Sequence, residues 1–148
     1  MTPSLPDVAV QFQTRLGNIG AASIQRMTHF ALRQQGMRKA MLSIVIMDDE
    51  SIREVNRAFL RHDYPTDIIT FPLEESPLEA ELLIGAGVLR RQAAEYGVTV
   101  GTELARLIIH GVLHLTGYDD RDTTSRERMK EREDELLEMF LALDRKSA

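Results

Sequence analysis

Two histidines placed four residues apart, His110 and His114, are the side chains of this sequence best suited to chemistry. In an α-helix, residues at this spacing are rotated by only about 40° and separated by about 6 Å along the axis, so both imidazoles leave the same face. One helix can supply two nitrogen ligands to a metal ion in this way. The spacing therefore predicts a metal-binding helix.

A carboxylate can complete the ligand set. Gly117 allows the chain to turn back after the helix, and the spacing then brings either Asp119 or Asp120 within reach of the histidines. Two nitrogens, one oxygen and an open position are typical of a catalytic zinc site. The alternative is a pair of core histidines bonded to backbone carbonyls, although burying two unpaired imidazoles costs on the order of a few kcal/mol.

Gly111 follows the first histidine, where zinc proteases with a paired-histidine helix carry a glutamate as general base. The sequence therefore argues against that class of enzyme. A residue without a side chain lets a substrate or a backbone segment approach the metal closely, or lets the helix pack tightly on a sheet. The sequence is compatible with either role.

The elements that must hold this helix follow from the hydrophobic periodicity. The histidine-bearing segment, 103–115, is apolar on nearly every side and is predicted to be a buried helix capped by Thr102. Apolar runs predict a third strand that ends at Pro72 and pairs antiparallel with the fourth after a short turn. The predicted strands are 8–12, 41–47, 67–71 and 82–84, and the other predicted helices are 19–35, one through 52–59 capped by Asp48 or Asp49, 88–96 and 123–143.

These elements predict an α/β (α+β) fold, in which roughly five helices pack on a mixed sheet of about four strands. The chain of 148 residues can bury one core without disulfides, which the absence of cysteine excludes in any case. We expect a single domain over residues 1–148, with the last few residues disordered.

Charge and hydropathy narrow the class of protein. The net charge is −5, which argues against binding nucleic acid by bulk charge, but residues 1–40 hold one acid against five basic residues and carry +4. No apolar stretch reaches the roughly 18 residues of a membrane span, and the N-terminus lacks a basic start followed by an apolar run. We therefore expect a cytoplasmic protein that does not enter a membrane.

Several segments together resemble a known family. The stretch His110-Gly111-x-Leu113-His114-Leu115-x-Gly117-Tyr118-x-Asp120 is similar to the signature of the YbeY family, the metal-dependent endoribonucleases and rRNA maturation factors of bacteria. Residues 55–59 and 63–72 match a second family motif, in which an Asn-containing helix end precedes a Pro-Thr-Asp strand. The segment 92–97 and the acidic last helix with Met129 and Glu133 also fit, so the resemblance runs from about residue 40 to 143.

The resemblance implies that His110, His114 and Asp120 hold one Zn²⁺ per chain. The family's usual third ligand is histidine, and the aspartate at this position makes a harder ion such as Mn²⁺ more competitive. The family's arginine after the aromatic residue of the upstream motif is replaced by Leu60, which leaves Arg61, one place later, as the candidate catalytic arginine. The family's Gly-Asp pair before the last strand appears here as 80–81, Ala-Glu.

The function that the resemblance implies is single-strand-specific cleavage of RNA in rRNA processing, namely 16S rRNA 3′ end maturation and ribosome quality control. The expected partners are rRNA or other single-stranded RNA, and ribosomal proteins or the small ribosomal subunit. One alternative is a non-catalytic ribosome-assembly factor with a structural metal. Another is a metal-dependent hydrolase of a small molecule or peptide, which predicts no RNA affinity and no salt dependence of binding. The sequence does not indicate an oligomeric state.

Overall fold

The computed structural model describes residues 6–147, which form four strands and five helices. Strands and helices both occur along the whole described part of the chain, in agreement with the predicted α+β class. Their bounds are β1 Asp7–Phe12, α1 Ala21–Gln34, β2 Ala40–Met47, α2 Asp49–Leu60, β3 Ile68–Glu75, β4 Leu78–Gly85, α3 Ala86–Tyr96, α4 Val100–Leu115 and α5 Thr123–Ser147. Ala148, at the chain end that was expected to be disordered, lies outside the described residues.

The strands form one mixed sheet in the order β1-β2-β4-β3. The β1-β2 and β2-β4 pairs are parallel, and the β3-β4 hairpin is antiparallel as predicted. Alternate residues of β2 face opposite sides, so Leu42, Ile44 and Ile46 enter the main core while Val45 and Met47 face the other side. A central strand that is apolar on both faces requires helices on both sides of the sheet.

The helices divide unequally between the two faces. Helices α1, α4 and α5 share the main core with one face, and α2 covers part of the other through Ile52, which packs with Ile69 and Leu83. Gly111 is where α4 lies closest to the sheet: a Cβ there would stand 3.0 Å from Ile68 Cδ1 and 3.2 Å from Leu82 Cδ2. Of the two roles open for Gly111, the structure therefore supports close helix-on-sheet packing.

Three predicted boundaries are wrong. Strand β4 begins at Leu78, four residues before the predicted start at 82. Strand β3 does not end at Pro72 but continues to Glu75 with an irregular register between Pro72 and Glu74. A proline is tolerated there because β3 is an edge strand, where a missing N–H removes no ladder bond to a second neighbour. Helix α4 begins at Val100, three residues before the predicted start, because Thr99 and not Thr102 is its N-cap.

Smaller differences concern helix ends. Asp48, rather than Asp49, caps α2 by accepting a hydrogen bond from the Ser51 backbone N–H. Helix α3 begins at Ala86, two residues before the predicted start at 88, and Gly97 is its C-cap in the left-handed conformation. No single helix among residues 6–147 has the length and hydropathy of a membrane span, although α3 and α4 pass that test together as a bent pair.

Thr99→Ala should destabilise the protein by about 1 kcal/mol, because the Thr102 N–H loses the 3.0 Å hydrogen bond to Thr99 Oγ1 at the start of α4. The measurement is the free energy of unfolding in urea. Thr102→Ala is the matched control and should cost less, since it leaves the backbone cap in place. An equal or larger loss in the control would contradict the assignment of the cap.

Candidate metal centre and adjoining cleft

The two histidines of α4 converge as their spacing predicts. The Nε2 atoms of His110 and His114 lie 3.1 Å apart, and the two rings are nearly perpendicular with centroids 4.7 Å apart. Both rings are half-buried at the surface of an otherwise buried helix. The arrangement presents two imidazole nitrogens to one point, which the alternative of two separate core histidines would not require.

A buried carboxylate from the last helix orients His110. Glu133 of α5 is only 2% exposed, and its Oε1 lies 2.6 Å from His110 Nδ1. A carboxylate can only accept at this distance, so His110 donates through Nδ1–H, and the neutral form of this imidazole then carries its lone pair on Nε2. This carboxylate-histidine pairing is the usual support of a metal-ligating imidazole, because it fixes both the tautomer and the ring orientation.

Arg106, one turn before His110, joins two buried carboxylates. It binds both oxygens of Glu103, which is 1% exposed, with Nε 2.8 Å from Oε1, and its Nη1 lies 3.3 Å from Glu133 Oε2. The hydrogen bonds to Glu103 are the main reason why the pKa of Arg106 is raised. Without this guanidinium, Glu103 would lose its salt bridge and Glu133 would lose one of its cationic partners in the protein interior.

The same network reaches the upstream motif. Gln92 of α3 donates to Asp67 Oδ2 at 3.2 Å and lies 3.5 Å from Glu103 Oε2. Asp67 Oδ1 accepts from the Ile68 N–H at 2.7 Å, and the buried Asn56 donates to the Tyr64 carbonyl at 2.9 Å. Asn56 and Asp67 therefore hold the segment between α2 and β3, which is a structural role.

Protonation states suit metal binding. Burial, followed by the electrostatic effect of His110, lowers the pKa of His114, so this imidazole is neutral at pH 7. Burial alone would raise the pKa of Glu133, but the hydrogen bond from His110 and the nearby charges of His110, Arg106 and Lys130 lower it overall. A neutral imidazole beside an ionised carboxylate is the state in which a histidine binds a cation.

The donor atoms allow a direct test of whether a metal ion fits. Two nitrogens bound tetrahedrally to zinc at about 2.0–2.1 Å are roughly 3.3 Å apart, close to the separation of the two Nε2 atoms. The histidine pair therefore fits an ion. Within residues 6–147 no three His, Asp or Glu side chains come together in a group that could hold a metal ion, so Asp120 as the third ligand stays a prediction.

The two candidate aspartates differ in their surroundings. Asp120 lines a cleft together with His110, whereas Asp119 accepts a hydrogen bond from the Arg121 N–H at 3.1 Å in a local turn. Both carboxylates act to raise the pKa of His114, and the effect of Asp120 is the larger. These surroundings favour Asp120 without showing ligation.

The candidate arginine lies elsewhere. Arg61 is the exposed C-cap of α2 in the left-handed conformation, with φ 60°, and it is not among the described residues that line the cleft beside His110. Arg57 is exposed on α2. The catalytic role of Arg61 therefore stays a prediction.

A cleft of about 660 Å³ lies between α4 and α5 next to the histidine pair. His110 and Asp120 line it together with the charged network, which contributes Glu103, Arg106 and Glu133. A catalytic ion bound by His110 would thus stand beside a volume large enough for part of a substrate.

The sequence reasoning missed Glu103 and Arg106 because it treated α4 as apolar on nearly every side. A signal was available: residues 103, 106 and 110 follow the spacing of three and four that defines one helix stripe, and all three are polar. His110 and Glu133 are 23 residues apart along the chain and lie on different helices, so no local sequence pattern predicts their contact.

Comparison with known proteins places this site in a family. The sequence model of the family described as Endoribonuclease YbeY matches residues 11–141. The chain belongs to the YbeY family. The predicted family is therefore confirmed, and the histidine pair, Glu133 and the cleft all lie within the matched region.

YbeY relatives cover much or nearly all of the chain. An Endoribonuclease YbeY of Bacteroides thetaiotaomicron is 42% identical over 70% of this chain and 77% of its own length. One of Stutzerimonas stutzeri is 39% identical over 79% of this chain and 76% of its own length. One of Salinibacter ruber is 27% identical over 95% of this chain and 97% of its own. The solution structure of TM1509 from Thermotoga maritima shares the fold, with a TM-score of 0.70 at 23% identity over 95% of this chain and 93% of that one.

Glu133→Gln should lower metal affinity by roughly tenfold to a hundredfold, because a neutral amide supports the imidazole of His110 less strongly than a carboxylate. The measurement is competition with a chelator for Zn²⁺, alongside unfolding of the metal-free protein. Glu131→Gln, at an exposed position of the same helix, is the matched control. Unchanged zinc affinity in a folded Glu133→Gln protein would show that Glu133 does not support a ligand.

Proposed function

We propose that this protein is a metal-dependent endoribonuclease that cuts single-stranded RNA during rRNA processing. Membership of a family described as Endoribonuclease YbeY supports the general activity, the hydrolysis of RNA phosphodiester bonds. The observation that carries the mechanism is the convergence of two imidazole nitrogens at 3.1 Å, one of them oriented by a buried carboxylate. The proposed biological role is 16S rRNA 3′ end maturation and ribosome quality control.

His110 and His114 would hold the ion, with Asp120 as the third ligand. A divalent ion held there supplies a Lewis acid that polarises the phosphate and lowers the pKa of water. The hydrogen bond to Glu133 selects the His110 tautomer that carries its lone pair on Nε2, and burial lowers the pKa of His114, so both nitrogens are suited to act as ligands. Arg61 would pair with a phosphate of the substrate, since an arginine can bind two phosphate oxygens at once.

Zn²⁺ is the proposed native ion, one per chain, because two imidazoles with one carboxylate and an open position suit catalytic zinc. Asp120 makes Mn²⁺ a realistic competitor, since a carboxylate oxygen is a harder ligand than imidazole. The proposed partners are rRNA and ribosomal proteins or the small ribosomal subunit, and the proposed location is the cytoplasm.

A second candidate function is that of a non-catalytic ribosome-assembly factor whose metal is structural. Leu60 in place of the arginine of the family motif favours it, because a phosphate-binding group would then be missing from that position. Arg61, one place later, is not among the described residues that line the cleft beside His110. The two candidates differ in what happens to RNA cleavage when the ion is removed.

His114→Ala should reduce cleavage of a short single-stranded RNA by roughly a hundredfold or more, because a site with one imidazole fewer binds the ion weakly. Cleavage by the purified protein should also stop with a chelator and return with one added metal. The control is His29→Gln. His29 is a half-buried histidine of α1 that contacts the Pro6 carbonyl and does not line the cleft. Full activity in His114→Ala would contradict the mechanism. If the unaltered protein does not cleave RNA and removal of the metal only lowers its stability, the assembly-factor function is favoured.

Asp120→His should shift the ion preference toward Zn²⁺ over Mn²⁺, because imidazole is a softer ligand than carboxylate. Zinc and manganese affinities of the variant and of the unaltered protein would be compared by chelator competition. Asp119→His is the matched control, since Asp119 is used in a local turn. A shift in the control and none in Asp120→His would assign the third ligand to Asp119.

A further inference from the structure

The cleft between α4 and α5 is built from several different elements. Its lining includes His110 and Asp120 together with Tyr96 and Val98, at and just after the end of α3. The volume of about 660 Å³ is large enough for part of a substrate. The cleft therefore contains two of the three proposed metal ligands, His110 and Asp120, in its lining.

Tyr96 stands in this cleft with its ring available. The residue is 57% exposed, and the Arg106 guanidinium carbon lies 5.8 Å from the ring centroid. Arg106 is itself fixed by its hydrogen bonds to Glu103 and Glu133. A rigid cation against the tyrosine ring holds it in place, so the exposed part of the ring can receive a planar ligand without losing further side-chain freedom.

The charges of the cleft are arranged by depth. The buried carboxylates Glu103 and Glu133 are compensated by Arg106 and His110, whereas Arg126 and Lys130 are exposed along the α5 wall. Lys130 forms ion pairs with Asp134, which also lines the cleft, and with Glu133, and Arg126 contacts the Asp120 carbonyl. The lining also includes the apolar side chains of Val98, Met129 and Leu137.

We infer that this cleft binds an unpaired nucleobase of the RNA adjacent to the cleaved phosphate, with Tyr96 as the stacking surface and Arg126 and Lys130 beside the flanking phosphates. The inference rests on the proposed ribonuclease function. An aromatic ring at an apolar wall, with cations at the rim, is how proteins bind single-stranded nucleic acid with little dependence on sequence. Because His110 and Asp120 also line the cleft, a base held there would place its phosphate near an ion bound by these two residues.

Only an unpaired base satisfies this geometry. A base within a duplex has its faces covered by neighbouring bases and its edge paired, so it cannot stack on Tyr96 without leaving the helix. The cleft thus accounts for a preference for single strands through one side chain. If the base stacks on the ring, removing the base from the RNA and removing the ring from the protein should weaken binding by similar factors.

The test is a two-by-two comparison of protein and RNA variants. The unaltered protein and Tyr96→Ala are titrated, in Ca²⁺ or without metal to prevent cleavage, with a short single-stranded RNA and with the same RNA lacking one base beside the cleavage position. For the unaltered protein, loss of the base should weaken binding about tenfold or more. Tyr96→Ala should weaken binding of the intact RNA by a similar factor and should not distinguish the two RNAs.

Two further proteins make the result specific. Tyr96→Phe keeps the ring and should bind as the unaltered protein does, while Leu73→Ala removes an equally exposed apolar side chain on β3, outside the cleft, and should change nothing. If the unaltered protein cuts RNA but Tyr96→Ala still distinguishes the two RNAs as strongly, the cleft assignment is overturned and the ribonuclease proposal stands. If the unaltered protein neither binds nor cuts RNA, both proposals fail.

Discussion

The fork of Arg106 between Glu103 and Glu133 is the interaction on which the rest of this structure depends. Two carboxylates, exposed by only 1% and 2%, occupy the contact between α4 and α5. Breaking a buried pair of this kind costs roughly 3–5 kcal/mol, because a charge is then left without a partner in the interior. Arg106 and His110 together remove that cost, and in doing so they set the position of α5 along α4.

The polar network also explains why His110 is oriented for chemistry. Its Nδ1 is used by Glu133, and Glu133 in turn is held by Arg106. Gln92 continues the network to Asp67, so the start of β3 and the histidine pair belong to one set of hydrogen bonds. A site supported through several elements is held more precisely than one that depends on a single rotamer.

The cleft is a consequence of the same arrangement. Its deeper polar groups, Glu103, Arg106 and Glu133, belong to the network, and the Tyr96 ring lies against Arg106. Metal support and substrate surface are therefore parts of one layer between α4 and α5. Gly111 contributes from the opposite side of α4, because its lack of a side chain lets the helix lie close to Ile68 and Leu82.

The sequence by itself determined the family, the α+β class, the four strands and five helices, and the convergence of His110 and His114. These features depend on local periodicity and on a spacing of four residues, which a helix converts directly into a shared face. Local signals were weaker at the ends of elements. Thr99 and Thr102 are both suitable N-caps for α4, and the structure uses Thr99. Strand β3 continues beyond Pro72 because it lies at the edge of the sheet. The tertiary structure alone decided which distant groups meet. The approach of Glu133 to His110, the place of Arg61 away from the cleft and the exposure of Tyr96 depend on how helices pack across the chain, and that packing is a property of the whole core.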